Sequence, residues 1–454
     1  MTSSSRDYVF EPFKVIEVKF VGTESPRPRS GHRIACDDVN IYCFGGYNPS
    51  LPPNSIQREN PTWTPEKPLF KELWSFHIAT RKWTEHKVVE NMPEEELASN
   101  AACMNGRYLM IYGGTGAPFG NKCSNDVITW RANRGDAKLQ ILQVNGNRPP
   151  GQYGQTILCY DGYFYTIGGT NGYAYNCDIY RFVDNHFQLI YNTSLPPAVS
   201  PAWTRLMGPR RIKNSLCAIP GFILVKLKII VIFRLDLQRL EWEPVFVGTG
   251  QEEEPMGRYR HEVARVGDKL YIIGGGTGEF AFELMEIPTF DLQTNTWTML
   301  TPKPERRKNN KLVAPAARKC HSAVQIDTPN GVQVFVAGGS DGVYVLEDFW
   351  RLNIADLQWT QMKKTVLPHP LYFHSSTVTS YGCMYVFGGI EPQGETICRK
   401  NTLYKVWLCI PKLSEICWEA ILSLYPNIDK IDRRTLLNIG VPIHFVDRIH
   451  PLYM

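Results

Sequence analysis

The sequence predicts an all-β fold: a six-bladed β-propeller, closed by its own N-terminal segment and followed by a short α-helical box. Three observations predict it. A β-rich run ending in Gly-Gly occurs six times, four of these units place a tryptophan on a later strand, and one strand-like segment stands alone ahead of the first unit. The runs are IYCFGG, YLMIYGG, YFYTIGG, KLYIIGG, VQVFVAGG and MYVFGG, whose second glycines are Gly46, Gly114, Gly169, Gly275, Gly339 and Gly389. Four short strands per unit with Gly-Gly at one fixed corner is what a propeller blade requires. Glycine takes positive φ and lets backbones crowd near a central axis.

Each unit can be justified in order. A further strand-like run precedes each Gly-Gly run, often opened by Arg or His, as in RSGHRIAC, RYRHEVAR and RKCHSAVQ. Trp83, Trp242, Trp297 and Trp359 mark the fourth strand of four blades, where an indole packs one blade on the next. Blade two reads KLQILQV at that place, which predicts a weaker contact there. The sixth unit lacks a fourth strand before the helical segment begins. FKVIEVKFV, Phe13 to Val21, precedes the first unit as a fourth strand should, so the N-terminus closes the ring and hides its edges. The predicted domains are a tail at 1–12, the propeller at 13–410 and the helical box at 411–454.

Blade three is anomalous. From the second glycine to the tryptophan, blade five takes 20 residues, blade four takes 22 and blade three takes 73. Deleting 182–234 restores DIYRLDLQRLEW and a count of 20. Insertions belong in loops, so this segment is read either as absent from the mature chain or as an extrusion that leaves the ring.

Composition limits the function classes. The 454 residues are 43% hydrophobic and 20% charged, enough to bury a large core, and the net charge of +5 is dispersed, which gives no case for nucleic acid. The longest apolar stretch, GFILVKLKIIVIF, is interrupted by Lys226 and Lys228 and is too short for a membrane span. Twelve cysteines form no C-x-x-C pair; Cys36, Cys43, Cys103, Cys159 and Cys383 sit in strand-like runs and read as reduced residues of an intracellular protein. No nucleotide loop, nucleophile motif or metal-ligand spacing is present, and no cofactor is expected.

The C-terminal PKLSEICWEAI carries Leu413, Cys417 and Ile421 at i, i+4 and i+8, one apolar stripe of a helix opened by Pro411. Periodicity alone favours a helix plugged under the propeller. A second helical stretch, RRTLLNIG, ends at Gly440.

The units resemble kelch repeats over residues 13–410, and Leu-x-x-x-Cys-x-x-x-aliphatic resembles the box with which SOCS-type and von Hippel-Lindau-type receptors dock on elongin C. With both parts, the chain is similar to the kelch domain-containing protein 10 family, on SGHR…IYCFGGYNP, FKELW, GGTGAPFG, RYRHE and ARKCHS. The resemblance implies a non-catalytic substrate receptor of a cullin-RING ubiquitin ligase, found in the cytoplasm and the nucleus. Its implied partners are elongins B and C, through Leu413, Cys417 and Ile421, and cullin-2, through an element that YPNID at Tyr425–Asp429 loosely matches. Its implied substrates are C-terminal tails ending in Gly or Ala.

Loops leading into the blades and loops after Gly-Gly gather at one mouth of a propeller. Arg29, Arg258 and Arg318 recur at one position there, where blades two, three and six hold Leu97, Gln152 and Leu371. With Arg260 they are the expected holders of a tail carboxylate. Tyr47, Phe119, Tyr153, Tyr259 and Tyr372 are expected to flank the tail, and Ser340 to add a hydroxyl. His32, His261 and His321 are read as structural. Two other readings are a kelch scaffold binding actin or a signalling phosphatase, and a copper oxidase, for which no ligand spacing is found.

Overall fold

Runs of β-branched and aromatic residues without alternation suit strands packed on both faces, and the second strands Asn40–Phe44 and Cys383–Phe387 are buried at every residue. In the computed structural model, the described residues are 8–50, 68–86, 98–132, 139–172, 178–183, 186–192, 231–247, 254–394 and 396–450. They form six antiparallel blades, with the first strands of neighbouring blades side by side around the whole ring. Blade five is the plainest: Ser322–Thr328, Gly331–Ala337, Asp348–Asn353 and Gln358–Val366 follow one another in order.

The ring closes as the repeat count requires. Ile16–Glu17 pairs antiparallel with Leu403–Trp407, opposite Lys405 and Tyr404, as the fourth strand of blade six. Phe13 and Val18 donate from their amides to the carbonyls of Trp407 and Leu403. Packing begins slightly before residue 13, because Phe10 meets the Trp407 ring edge-on at 5.9 Å. Residues 1–7 lie outside the described residues.

Two expectations need correction. Blade two lacks the outer-strand tryptophan, but its contact with blade one is filled by Trp130 of its third strand, which is buried and meets Tyr42 at 5.2 Å. In blade three the third strand is Val231–Asp236, not the segment starting at Asp178. Ile232, Phe233 and Arg234 pair there with Ile167, Thr166 and Tyr165, so residues 231–234 belong to the ring. Asp178–Val183 pairs instead with His186–Asn192 in a separate two-stranded sheet. Apolar Val-Ile-Phe suits the buried third-strand place better than Asp-Ile-Tyr-Arg, which is why strand counting alone set the boundary wrongly. The rest of the 182–234 segment, residues 184–185 and 193–230, lies outside the described residues.

Three helices follow: α1 (Leu413–Leu424), α2 (Arg433–Asn438) and α3 (Ile443–Val446). Asp432 caps α2, its carboxylate accepting from the Thr435 amide at 3.1 Å. Trp418, Ile428, Leu436, Phe445, Val446 and Ile449 form their shared core with Ala79 of blade one. Trp418 stacks on Phe445 at 4.8 Å. The module is tied to the propeller by Lys82–Asp429 at 2.6 Å, by the Trp407 indole N–H donating to Glu419 at 2.6 Å, and by Lys405 with Glu419. It therefore sits under blades one and six, at the end of the ring away from the Gly-Gly corners.

Candidate functional site

The floor of the mouth is a closed cycle of backbone hydrogen bonds. Gly31, Ser99, Gly154, Arg260, Cys320 and Phe373, one from each blade, all have left-handed backbones, with φ from 55° to 68°. The amide of each donates to the carbonyl of the one before it, and Gly31 donates to Phe373, at 2.7–3.2 Å. A residue there needs positive φ, so side chains cost strain where the blade does not carry glycine. The glycines of the floor are covered by their neighbours: a Cβ on Gly31 would come within 3.3 Å of the Arg260 guanidinium, and one on Gly154 within 3.0 Å of the Tyr259 ring. The Arg260 guanidinium lies over the Phe373 ring at 4.9 Å and donates to the Ser99 hydroxyl.

The walls rise from the residues just before the floor and just after Gly-Gly. Ser30, Ala98, Tyr153, Tyr259, Lys319 and Tyr372 bridge to Tyr47, Thr115, Thr170, Gly276, Ser340 and Ile390. Tyr47, Tyr153, Tyr259, Tyr372 and Ser340 are therefore brought together at one mouth, partly exposed. Exposed Phe119 packs edge-on against Tyr47 at 4.9 Å. The Ser340 hydroxyl accepts from the Gly342 amide at 3.1 Å.

The three recurring arginines are placed differently from expectation. Arg29, Arg258 and Arg318 are buried, and each turns into its own blade. Their Nε groups donate to Arg27, Met256 and Ala316 carbonyls, and one terminal nitrogen of each donates to Gly45, Gly274 or Gly338. Arg29 also binds Glu72 at 2.6 Å, and Arg318 forks onto Asp348 at 2.8 and 3.2 Å. They fasten the loop to the glycine corner and are turned away from the mouth. Arg258 has no carboxylate at ion-pair distance among the described residues; it sits over Phe282 at 3.8 Å, and burial lowers its pKa to about 9. Of the other positions, Gln152 and Leu371 are buried too, and Leu97 lies outside the described residues.

The histidines are structural, as read. His32 donates through Nε2 to the Phe387 carbonyl at 3.1 Å, reaching into the preceding blade. A Cβ on Gly388 would come within 2.6 Å of its ring, so the glycine corner is cut to fit an imidazole. Gln155 takes this place in blade three and donates to Tyr112 at 2.9 Å. Burial lowers the pKa of His261 to about 3 and of His374 to about 4.

Two cations at the mouth were missed by the sequence reading. Arg399, on the Thr396–Arg399 strand of a hairpin after Gly389, donates to the Ser30 hydroxyl at 3.1 Å and lies over Tyr47 at 5.0 Å. Lys319 donates to the Thr277 carbonyl at 2.8 Å. Among the described residues, neither these nor Arg260 has a carboxylate at ion-pair distance. Burial lowers the pKa of Arg260 to about 10, with Arg33 adding to the effect, and burial lowers that of Arg399 against the raising influence of Tyr47 and Tyr372. Below the floor, Arg33 and Glu262 pair across the axis at 2.8 Å. The only available signal for Arg399 was the long loop after the sixth Gly-Gly, which hides it from position-by-position alignment of the repeats.

On the opposite end, α1 has two faces. Inward, Glu415 forks onto Arg448 at 2.7 and 2.8 Å, and Trp418 is buried. Outward, Leu413 is 73% exposed and Cys417 is exposed, while Ile421 is half-buried against the module core. Two of the three positions of the stripe thus face away from the propeller, unlike the plug that periodicity alone favours.

The KLHDC2/KLHL20/DRC7 kelch-repeats domain matches residues 8–169 and 226–419. Kelch domain-containing protein 10 of Rattus norvegicus is 36% identical over 94% of this chain and 87% of its own length. The Homo sapiens protein of that name is 34% identical over 94% and 81%. The chain belongs to the kelch domain-containing protein 10 family. The Drosophila melanogaster kelch domain-containing protein 10 homolog is 34% identical over 98% of this chain, which spans 66% of that protein's length. The kelch-repeats match breaks between residues 169 and 226, at the interruption of blade three. Among the described residues no group of three or more His, Cys, Asp or Glu is placed to hold a metal, and no helix is long and apolar enough to cross a membrane.

Proposed function

We propose that this chain is the substrate-recognition subunit of a cullin-RING ubiquitin ligase. In this reading α1 docks on elongin C with elongin B, cullin-2 follows, and the mouth receives C-terminal tails ending in a small residue such as Gly or Ala for ubiquitination and degradation. The observation that carries it is the outward face of α1. A leucine 73% exposed, with a small cysteine one turn on, is held rigidly by an inward face of Trp418 and the Glu415–Arg448 pair. An exposed apolar stripe on a well-anchored helix is the form a helix-in-groove contact needs. Exposed Tyr425, Pro426 and Asn427 are the part of YPNID open to a cullin, since Ile428 is buried and Asp429 is paired.

The tail end of the reading rests on Arg260 and Arg399. A cation in a partly dry site without a carboxylate favours an incoming anion, and a chain terminus is an anion that fits a bowl closed below by six hydrogen bonds. The tyrosines supply walls, and the crowding of Arg260 and Tyr259 over Gly31 and Gly154 suits a small terminal residue.

Co-expression with elongins B and C tests the docking. Leu413→Asp with Cys417→Phe abolishes co-purification, through a buried charge and an overfilled contact, with an unchanged unfolding temperature. Retained binding, or none in the unaltered protein, rejects the ligase reading; capture of actin in place of elongins supports a scaffold.

A further inference from the structure

Cys103 and Cys159 stand on the innermost strands of blades two and three, Ala101–Asn105 and Thr156–Tyr160. These strands lie side by side, yet each pairs by backbone only within its own blade. Their sulfurs are 3.8 Å apart, and both belong to the shell of the core that joins the two blades around Tyr112, Phe164 and Trp242. A disulfide measures about 2.05 Å, so closure needs a movement of roughly 1.8 Å.

Cys159 is partly exposed, and its partner is reached from below. Cys103 lines a cavity of about 260 Å³ along the first strands, shared with Cys36, Thr156 and Thr377 under the Arg33–Glu262 pair. It admits a molecule as small as a hydrogen peroxide. Neighbouring thiols are held otherwise: Cys36 donates to the Val378 carbonyl at 3.2 Å, and burial raises the pKa of Cys43 and Cys383 to about 11. Either thiol can donate to the other across this contact, which lowers the pKa of Cys159 and, together with burial, raises that of Cys103.

We propose that Cys103 and Cys159 are an oxidation site at which a peroxide forms a disulfide between blades two and three. Peroxide oxygen bonds to the Cys159 thiolate as the O–O bond breaks and hydroxide leaves, giving a sulfenic acid. Cys103 sulfur then attacks that sulfur; the S–S bond forms, the S–O bond breaks, and the Cys103 proton leaves with the hydroxyl as water. Two thiols and one peroxide give one disulfide and two waters. The link falls beside the blade whose second and third strands are separated by the long interruption, and adds a covalent bond to the Gly154–Ser99 backbone hydrogen bond that joins the two blades just before these strands.

The full chain, purified reduced and treated with a small excess of hydrogen peroxide, is mapped by non-reducing peptide mass analysis after free thiols are alkylated. The expected result is a Cys103–Cys159 linked peptide that dithiothreitol removes, with a higher unfolding temperature for the oxidised form. Cys103→Ser loses the link and leaves Cys159 trappable by dimedone. Full alkylation of both cysteines in the peroxide-treated wild type, or their linkage only to other cysteines, overturns the proposal without relying on any variant.

Discussion

The loops leading into blades four and five read Arg258-Tyr259-Arg260-His261 and Arg318-Lys319-Cys320-His321. Their outer members do the same work in both blades. Arg258 and Arg318 each donate to a residue two back and to the first glycine of their own corner, and His261 and His321 are buried between glycine corners. Their inner members differ. Tyr259 and Lys319 face the mouth, while Arg260 crosses the floor where blade five places only Cys320. What recurs between blades holds the ring, and what departs from the repeat is available for recognition.

The ring-holding half of that comparison predicts the largest effects. Deleting residues 1–21 leaves blade six with three strands and an open edge, and the product aggregates or fails to fold; a soluble product with an unchanged melting temperature breaks the closure. Next comes Arg29→Ala. It removes one of two arginines from buried Glu72, which keeps Arg27 and the Trp74 indole N–H, and losing a hydrogen bond to a charged group costs about 1.5–3 kcal/mol. Arg260→Ala removes no ion pair found among the described residues, so in chemical denaturation it shifts the midpoint much less than Arg29→Ala. Equal losses would erase the distinction between the two kinds of arginine.

A smaller effect is carried by pH. His261 and His374 have folded pKa values near 3 and 4, below the ordinary 6.5. As pH falls below about 6.5 the unfolded chain takes up protons that the folded chain refuses, so stability present at neutral pH declines progressively toward about pH 4. Blade three already holds a glutamine in this niche, so His374→Gln flattens the slope of denaturation midpoint against pH; an unchanged slope assigns the acid sensitivity to other groups.

Much of this was legible in the sequence, for physical reasons. Gly-Gly corners and outer tryptophans recur because six copies of one packing problem have one solution, so blade number and N-terminal closure could be counted. The same recurrence misled at the site. Arg29, Arg258 and Arg318 stood out because they repeat, and they repeat because each fastens a corner. Arg399 lies on a hairpin inserted after the sixth Gly-Gly corner, and Trp130 replaces an outer-strand tryptophan from the strand beside it; neither follows the register that makes a repeat readable. In α1 the spacing gave the stripe correctly but not its direction, which depends on Trp418 finding Phe445 and Ala79.

The most direct measurement is the affinity of the purified chain, with elongins B and C, for tail peptides ending in Gly or Ala, each as free acid and as C-terminal amide. A hydrogen bond to a charged group contributes roughly 1.5–3 kcal/mol, about a ten- to hundredfold change in affinity. The account predicts that amidation and Arg260→Ala each weaken binding by that amount, that Arg399→Ala follows, and that combining amidation with Arg260→Ala adds little further. Equal affinity for acid and amide, with Arg260→Ala binding as wild type, would contradict it.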